Sequence, residues 1–418
     1  MDLSLRKWLS IAFFNLMLVA ILGCLLRYKI AYSLPFLDQK FILNAHSHFA
    51  FSGWVTQALM TLMVKFLSDK TNSDAFRKFR WILWANLISA YGMLLTFPFQ
   101  GYATGSIIFS TTSVFSGYAF AFTYWKELNK IPSSVEILFF KSAVFFNVLS
   151  SAGTFTLATL MVSGSSFQNL YVASIYFFLH FQYNGWFLFG CMGLLCSSLI
   201  RHGIPQQKLK LAFYLFVSAC IPAYLLSALW IPMPMWVYML VAIAGIAQLV
   251  AWGIMLQAIR KNLGTLKVHV IKFTQMLFFL CAIAYTLKLM LQAASAIPSL
   301  SYLTYGFRPI VIGYLHLVLL GVVSLFITSY SINNNYIILN KTRKNGVIIF
   351  VAGIIINEIF LLLQGIGDLS YISIPYIDEE LLAAAVILLL GLILISIRIT
   401  DSKDLYKRGF ENNCNGSI

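Results

Sequence analysis

Twelve stretches of about 20 predominantly apolar residues follow one another along this chain. They lie near 9–30, 41–65, 81–99, 105–125, 137–162, 169–200, 209–230, 233–259, 271–297, 307–330, 346–367 and 380–399. An α-helix rises about 1.5 Å per residue, so each run matches the ~30 Å hydrocarbon thickness of a bilayer. In hydrocarbon the backbone must satisfy its own hydrogen bonds, and for runs of this length only the helix does so. The sequence therefore predicts an all-α integral membrane protein. Connections are short, so residues 1–400 read as one polytopic membrane domain and 401–418 as a polar cytoplasmic tail. Composition agrees: 60% of residues are hydrophobic and 10% charged, against about 25% charged in soluble domains.

Charge orients the runs. A net charge of +15 would suggest nucleic acid in a soluble protein; here the positive-inside rule accounts for it, and no nucleic-acid partner is expected. With the N-terminus inside, the inner connections hold nearly all of the 29 Lys and Arg residues. Only Arg27, Lys29, Lys40 and Arg308 fall on the outer side, and Lys141 and Lys288 fall well within runs. That asymmetry predicts an even helix number and both termini cytoplasmic, in a bacterial inner membrane with the lipid bilayer as a partner. Arg6-Lys7 before Leu9 to Leu26 reads as an uncleaved first helix rather than a signal peptide. The six cysteines form no CxxC pair, which argues against a thiolate metal site or disulfide, and the absence of CxxCH excludes covalent c-type haem on this chain.

An internal repeat then divides the chain. His48-Phe-Ala-Phe-Ser-Gly-Trp54 aligns with His180-Phe-Gln-Tyr-Asn-Gly-Trp186, with five of seven positions identical or aromatic for aromatic. His316-Leu-Val-Leu-Leu-Gly321 is a weaker third copy. The histidines are 132 and 136 residues apart, and the chain of 418 holds three units of that length. Such a period fixes architecture. It predicts three pseudo-repeated groups of four helices, about 1–130, 131–266 and 267–400, with the motif on the second, sixth and tenth runs. His48, His180 and His316 then lie roughly 10–18 Å below the outer ends of their helices. His202 and His269 fall at the inner surface.

Histidines at one depth within a membrane are costly and point to a site. His46, His48, His180 and His316 are the candidate metal ligands, because neutral imidazole coordinates iron, copper and zinc. Haem fits best, since the surroundings are apolar and aromatic and no carboxylate is near in sequence. His46 and His48 are about 200° apart around the helix, so they cannot face one ligand. His46 shares its face with Ala50 and Gly53, small residues that admit either a flat macrocycle or another helix. His180 shares a face with Tyr176, Tyr183 and Asn184, a polar strip suited to a ligand chamber or to an interhelical hydrogen bond. Arg308, two turns above His316, could pair with haem propionates or serve as an interfacial arginine. Lys288 and Glu358 are charges within the ninth and eleventh runs. They are expected to form a structural ion pair, with a proton path as the other possibility.

Twelve helices in three groups of four, with histidines on helices 2, 6 and 10, resemble subunit I of the haem–copper oxidases. In that family histidines of helices 2 and 10 hold a low-spin haem, a second helix 10 histidine holds a high-spin haem, and histidines of helices 6 and 7 hold copper. This chain keeps His48, with His46 beside it, and His180 and His316. It lacks a histidine in the seventh run and has Tyr314-Leu-His316 where the family has His-x-His. Where the family has His-x3-Tyr, the sixth run carries Tyr183 and Asn184. A complete haem–copper centre cannot be built from these side chains. His46-Ser-His48 through Gly53-Trp54 also resembles the NnrS-type membrane proteins, which are haem- and copper-associated and linked to nitric oxide stress. The resemblance implies a haem-binding protein, b-type, in electron transfer or nitric oxide handling. His46 or His48 would join His316 on one haem, with Arg308 at its propionates. His180 would face a second chamber holding haem, copper or nothing, and other respiratory-chain subunits would be partners. Whether such a chain is an enzyme, a haem-dependent oxidoreductase, stays open. The alternative is a cofactor-free transporter or channel using Lys288, Glu358 and Asn184, and a third reading is an assembly or scaffold protein.

Overall fold

The computed structural model describes residues 4–164, 167–297, 300 and 307–396, so the tail 401–418 lies outside the described residues. Among the described residues every apolar run read from the sequence is mainly helical. Helix α1 is Leu5–Ala31, α2 Gln39–Thr71, α3 Ala75–Gln100, α4 Thr104–Leu128, α5 Val135–Val162 and α6 Gln168–Arg201. Helix α7 is Gln206–Cys220 with a 3-10 continuation, Pro222–Ala228. Helix α8 is Met235–Lys261, α9 Lys272–Ala294, α10 Arg308–Asn333, α11 Lys341–Leu369 and α12 Ile377–Ser396. A short helix, Leu263–His269, links α8 to α9. No strand occurs among the described residues.

Ten of these helices are long and apolar enough to cross a membrane. The other two differ for local reasons. Helix α7 bends by 42° into its continuation, because Pro222 has no N–H to donate and its ring crowds the preceding turn. Helix α4 is rich in Ser and Thr, which lowers its hydropathy. Its hydroxyls fold back on the helix: Ser110 donates to Ile107 O at 3.0 Å, Thr112 to Ile108 O at 2.8 Å and Ser116 to Ser113 O at 2.8 Å. Such back-bonding hides the polar groups at little cost to the helix.

Helix ends are set by short polar residues. Asp38 caps α2 by accepting from the backbone N–H of Lys40 and Phe41, and Asp74 caps α3 through Phe76 N–H; each satisfies orphan donors of a first turn. Asn72 ends α2 in the left-handed region at φ 49, a conformation asparagine tolerates.

Burial ranks the helices. The apolar windows of α2 and α6 are 83% buried, against 39–56% for the other eight candidate spans. These two form the centre, and the inner half of α10 joins them: Val318, Gly321 to Ile332 are all buried. Its outer half, Arg308–His316, contains no buried residue. Around this centre, Ile88, Leu95, Phe122 and Ile243 lie largely exposed, as lipid-facing side chains do. The cation-rich end is tied by ion pairs, Lys70 to Glu136 at 3.0 Å and Lys130 with Lys78 to Glu127.

Candidate functional site

Each repeated histidine is followed by a π-helical turn. The three are Ala50–Thr56 after His48, Phe181–Phe187 after His180 and Leu317–Ser324 after His316. A π turn inserts one extra residue per turn and releases carbonyls from the helical ladder. In a membrane those carbonyls need partners. Asn15 Nδ2 donates to Gly53 O at 2.6 Å, Asn86 Nδ2 to Ser52 O at 3.1 Å, and Cys281 Sγ to Val322 O at 3.4 Å. The repeated glycines sit where neighbours come close. An added Cβ would lie 2.7 Å from the Phe49 ring at Gly53 and 2.5 Å from Phe146 Cβ at Gly185.

The three π turns interlock. The Trp186 indole N–H, on the second, donates to Thr56 Oγ1 on the first at 3.2 Å. Trp54, on the first, reaches Ser324 on the third in the same way. In repeat register the third side would pair Val322 with Leu188, two apolar residues, and the second and third turns pack directly on each other.

Above this ring the histidines diverge. His46 points to α1, where its Nδ1 lies 3.1 Å from Val19 O. His316 Nδ1 lies 2.8 Å from Ile312 O, one turn back on its own helix. A carbonyl only accepts, so in both rings Nδ1 carries the hydrogen and Nε2 keeps its lone pair. Neither Nε2 has a partner among the described residues, and both side chains are half-buried. His46 and Arg27 both lie within electrostatic range of His316. Arg27 stands in turn within range of Arg308 and Asp378. His46 lies about 10 Å along α2 from Gln39, and His316 about 12 Å along α10 from Arg308. Two imidazoles on different helices, with two arginines toward the cation-poor end, thus share one locale. Gly23 gives it room: an added Cβ there would meet His46 Cε1 at 3.4 Å.

His48 is turned away. Its Nε2 is 2.7 Å from the Tyr102 hydroxyl, and its ring stacks on Phe97 with centroids 4.6 Å apart. Of the two neighbours on α2, His46 is therefore the one set with His316.

His180 sits in a separate polar chamber and is 1% exposed. Its Nε2 donates to Cys220 O at 2.9 Å, and its Nδ1 accepts from Asn184 Nδ2 at 3.1 Å. Both nitrogens are engaged, so this ring has no lone pair for a metal. Lys288 is close enough to act on it electrostatically. Held in this way, the ring offers no lone pair to a copper ion. No group of three His, Cys, Asp or Glu side chains among the described residues could hold a metal ion.

Lys288 and Glu358 do not pair. Lys288 Nζ donates to Gln292 Oε1 at 2.5 Å, and Glu358 Oε1 accepts from Asn357 Nδ2 at 3.2 Å. Helix α9 turns Lys288 inward toward α6 and α8, while α11 packs on α10 and α12. At the cation-rich end His202 and His269 stack with centroids 4.5 Å apart.

In the sequence Arg27 stands out only as an exception to the charge asymmetry. That exception is the available signal: a cation at the outer end of an apolar run, on the side where cations are scarce. The chain matches no known family model and no curated protein.

Proposed function

We propose that this chain is a haem-binding integral membrane protein related to cytochrome oxidase subunit I, with an incomplete haem–copper centre, working in electron transfer. The observation that carries this reading is the His46 and His316 pair. Each ring is fixed through Nδ1 to a backbone carbonyl and keeps an unpartnered Nε2. That is how haem- and metal-ligating histidines are usually held, since the second hydrogen bond sets tautomer and ring orientation. His46 and His316 would hold a b-type haem through their free Nε2 atoms, and Arg27 and Arg308 would meet its carboxylates. Haem bound through two imidazoles supplies reversible one-electron transfer. The protein's own part is orientation: Val19 O and Ile312 O aim the rings, Gly23 keeps space beside His46, and the apolar surroundings exclude water. Nitric oxide handling is the other branch of this reading. In this reading α4 and the bent α7 also cross, giving twelve crossings in three groups of four. The cation asymmetry then puts both termini in the cytoplasm of a bacterial cell.

The test is a reduced-minus-oxidised spectrum of protein from haem-supplied cells, with haem measured per chain. Sharp α and Soret bands that vanish in His46→Ala and in His316→Ala, and persist in His48→Ala, are the expected result. A featureless wild-type spectrum would overturn it. The Lys288 chamber would then favour a cofactor-free transporter, for which solute-dependent stabilisation is the readout.

A further inference from the structure

The polar chamber beside the second π turn carries chemistry that a haem site does not use. We propose that Lys288 is a protonatable site within the membrane, served from the cation-poor end through one water molecule held between it and Asn184. The proposal does not depend on haem.

Lys288 is 2% exposed. An ammonium has three donors, and only one is used here, on Gln292 Oε1. Gln292 is fixed in turn by donating from Nε2 to Gln248 Oε1 at 2.9 Å. The Tyr285 ring lies 5.8 Å from Nζ. Lys288 makes no ion pair among the described residues. The titratable groups near it or near Tyr285 are His180 and Cys191 on α6, Cys220 on α7, Tyr285 and Cys281 on α9 and Tyr314 on α10. None is a carboxylate. A permanently charged ammonium so placed would bear its whole desolvation cost without a counter-charge. A group that exchanges a proton avoids that cost.

The exchange partner has a place. A cavity of about 10 Å³ is lined by Lys288, Asn184, Gln248 and Tyr285 among apolar side chains. That is room for about one water. Asn184 is 5% exposed, and its Oδ1 has no hydrogen-bond partner. A donor without an acceptor and an acceptor without a donor therefore line one water-sized space. A single water satisfies both, accepting from Lys288 and donating to Asn184. From Asn184 the line of polar groups leads outward. The Tyr183 hydroxyl sits beside Asn184 and Ser227, and Ser227 lies in the turn that ends α7 at the cation-poor end. In the loading step a proton arriving on the cavity water leaves that oxygen for the Lys288 amine, breaking one O–H bond, and a neutral water stays behind, donating to Asn184 Oδ1. One proton moves inward, one N–H bond forms, and nothing is oxidised or reduced.

The experiment uses the full-length protein, labelled with 15N at lysine Nζ, in nanodiscs. Its solid-state NMR spectrum is followed between about pH 5 and pH 9, the range in which buried lysines titrate. One Nζ signal is expected to move between ammonium and amine positions and to disappear in Lys288→Met. Proton exchange of that signal with solvent should slow several-fold in Asn184→Leu while the two end positions stay put. A Lys288 signal fixed at the ammonium position throughout would overturn the proposal. So would an exchange rate unchanged in Asn184→Leu, provided that variant keeps the wild-type unfolding midpoint.

Discussion

The Trp54 indole N–H donates to Ser324 Oγ at 2.8 Å, joining positions 270 residues apart on two of the three π turns. Trp54 stands six residues after its repeat histidine and Ser324 eight after its own. Trp186 and Thr56 occupy the same two register positions, so one contact is used twice around the centre. Trp54→Phe and Ser324→Ala should therefore couple. A double-mutant cycle of unfolding in detergent should give an interaction of about 0.6 kcal/mol, and no more than about 1.7 kcal/mol, the range for hydrogen bonds within membranes. Strict additivity would show that the contact contributes nothing.

The glycines of the ring should rank by the space around them. An added Cβ at Gly185 lies 2.5 Å from Phe146 Cβ, and at Gly321 it lies 3.3 Å from Ala284 Cβ. Gly185→Ala should cost roughly 1–3 kcal/mol through overpacking, and Gly321→Ala clearly less. Unfolding midpoints of the two variants, compared in one detergent, check the order.

Gly23 tests the proposed haem locale without touching a ligand. At 3.4 Å from His46 Cε1, an alanine methyl makes ordinary contact, so Gly23→Ala should keep full haem content. Gly23→Leu must displace the imidazole and should lose haem while the protein stays folded. Haem per chain, with the unfolding midpoint alongside, separates the two effects.

Arg27 should act on the bound haem's potential. A nearby cation favours the reduced form, which carries one positive charge fewer. Arg27→Gln should therefore lower the midpoint potential, where about 59 mV corresponds to a tenfold change for one electron. Arg308 is exposed at the helix end, so Arg308→Gln should shift it less. Redox titration followed at the Soret band measures both.

At the cation-rich end the His202 and His269 stack predicts acid sensitivity. Burial, then His269, then Arg201 hold the His202 imidazole below its ordinary value, which is about 6.5. The unfolded chain thus binds that proton more readily than the folded one. This contribution to stability is complete above about pH 6.5 and is lost as pH falls through that value toward the lower folded one. The unfolding midpoint should drop between about pH 7.5 and pH 5.5, and drop less in His202→Phe.

The sequence by itself determined the helices, because run length and hydropathy answer to the bilayer and not to neighbouring chain. It also determined the divergence of His46 and His48, which follows from two residues of helical rotation, and the repeat that puts His48, His180 and His316 in register. Tertiary structure decided what each histidine meets. His46 rather than His48 accompanies His316, since His46 is turned to α1 and lies with Arg27 near His316 while Phe97 and Tyr102 hold His48 away. The expected Lys288 to Glu358 pair fails for the same kind of reason: opposite charges in two runs attract only if their helices turn those faces together. The π turns were invisible in the sequence, because an inserted residue leaves no mark on hydropathy. Their partners, Asn15, Asn86 and Cys281, come from helices whose placement only packing fixes.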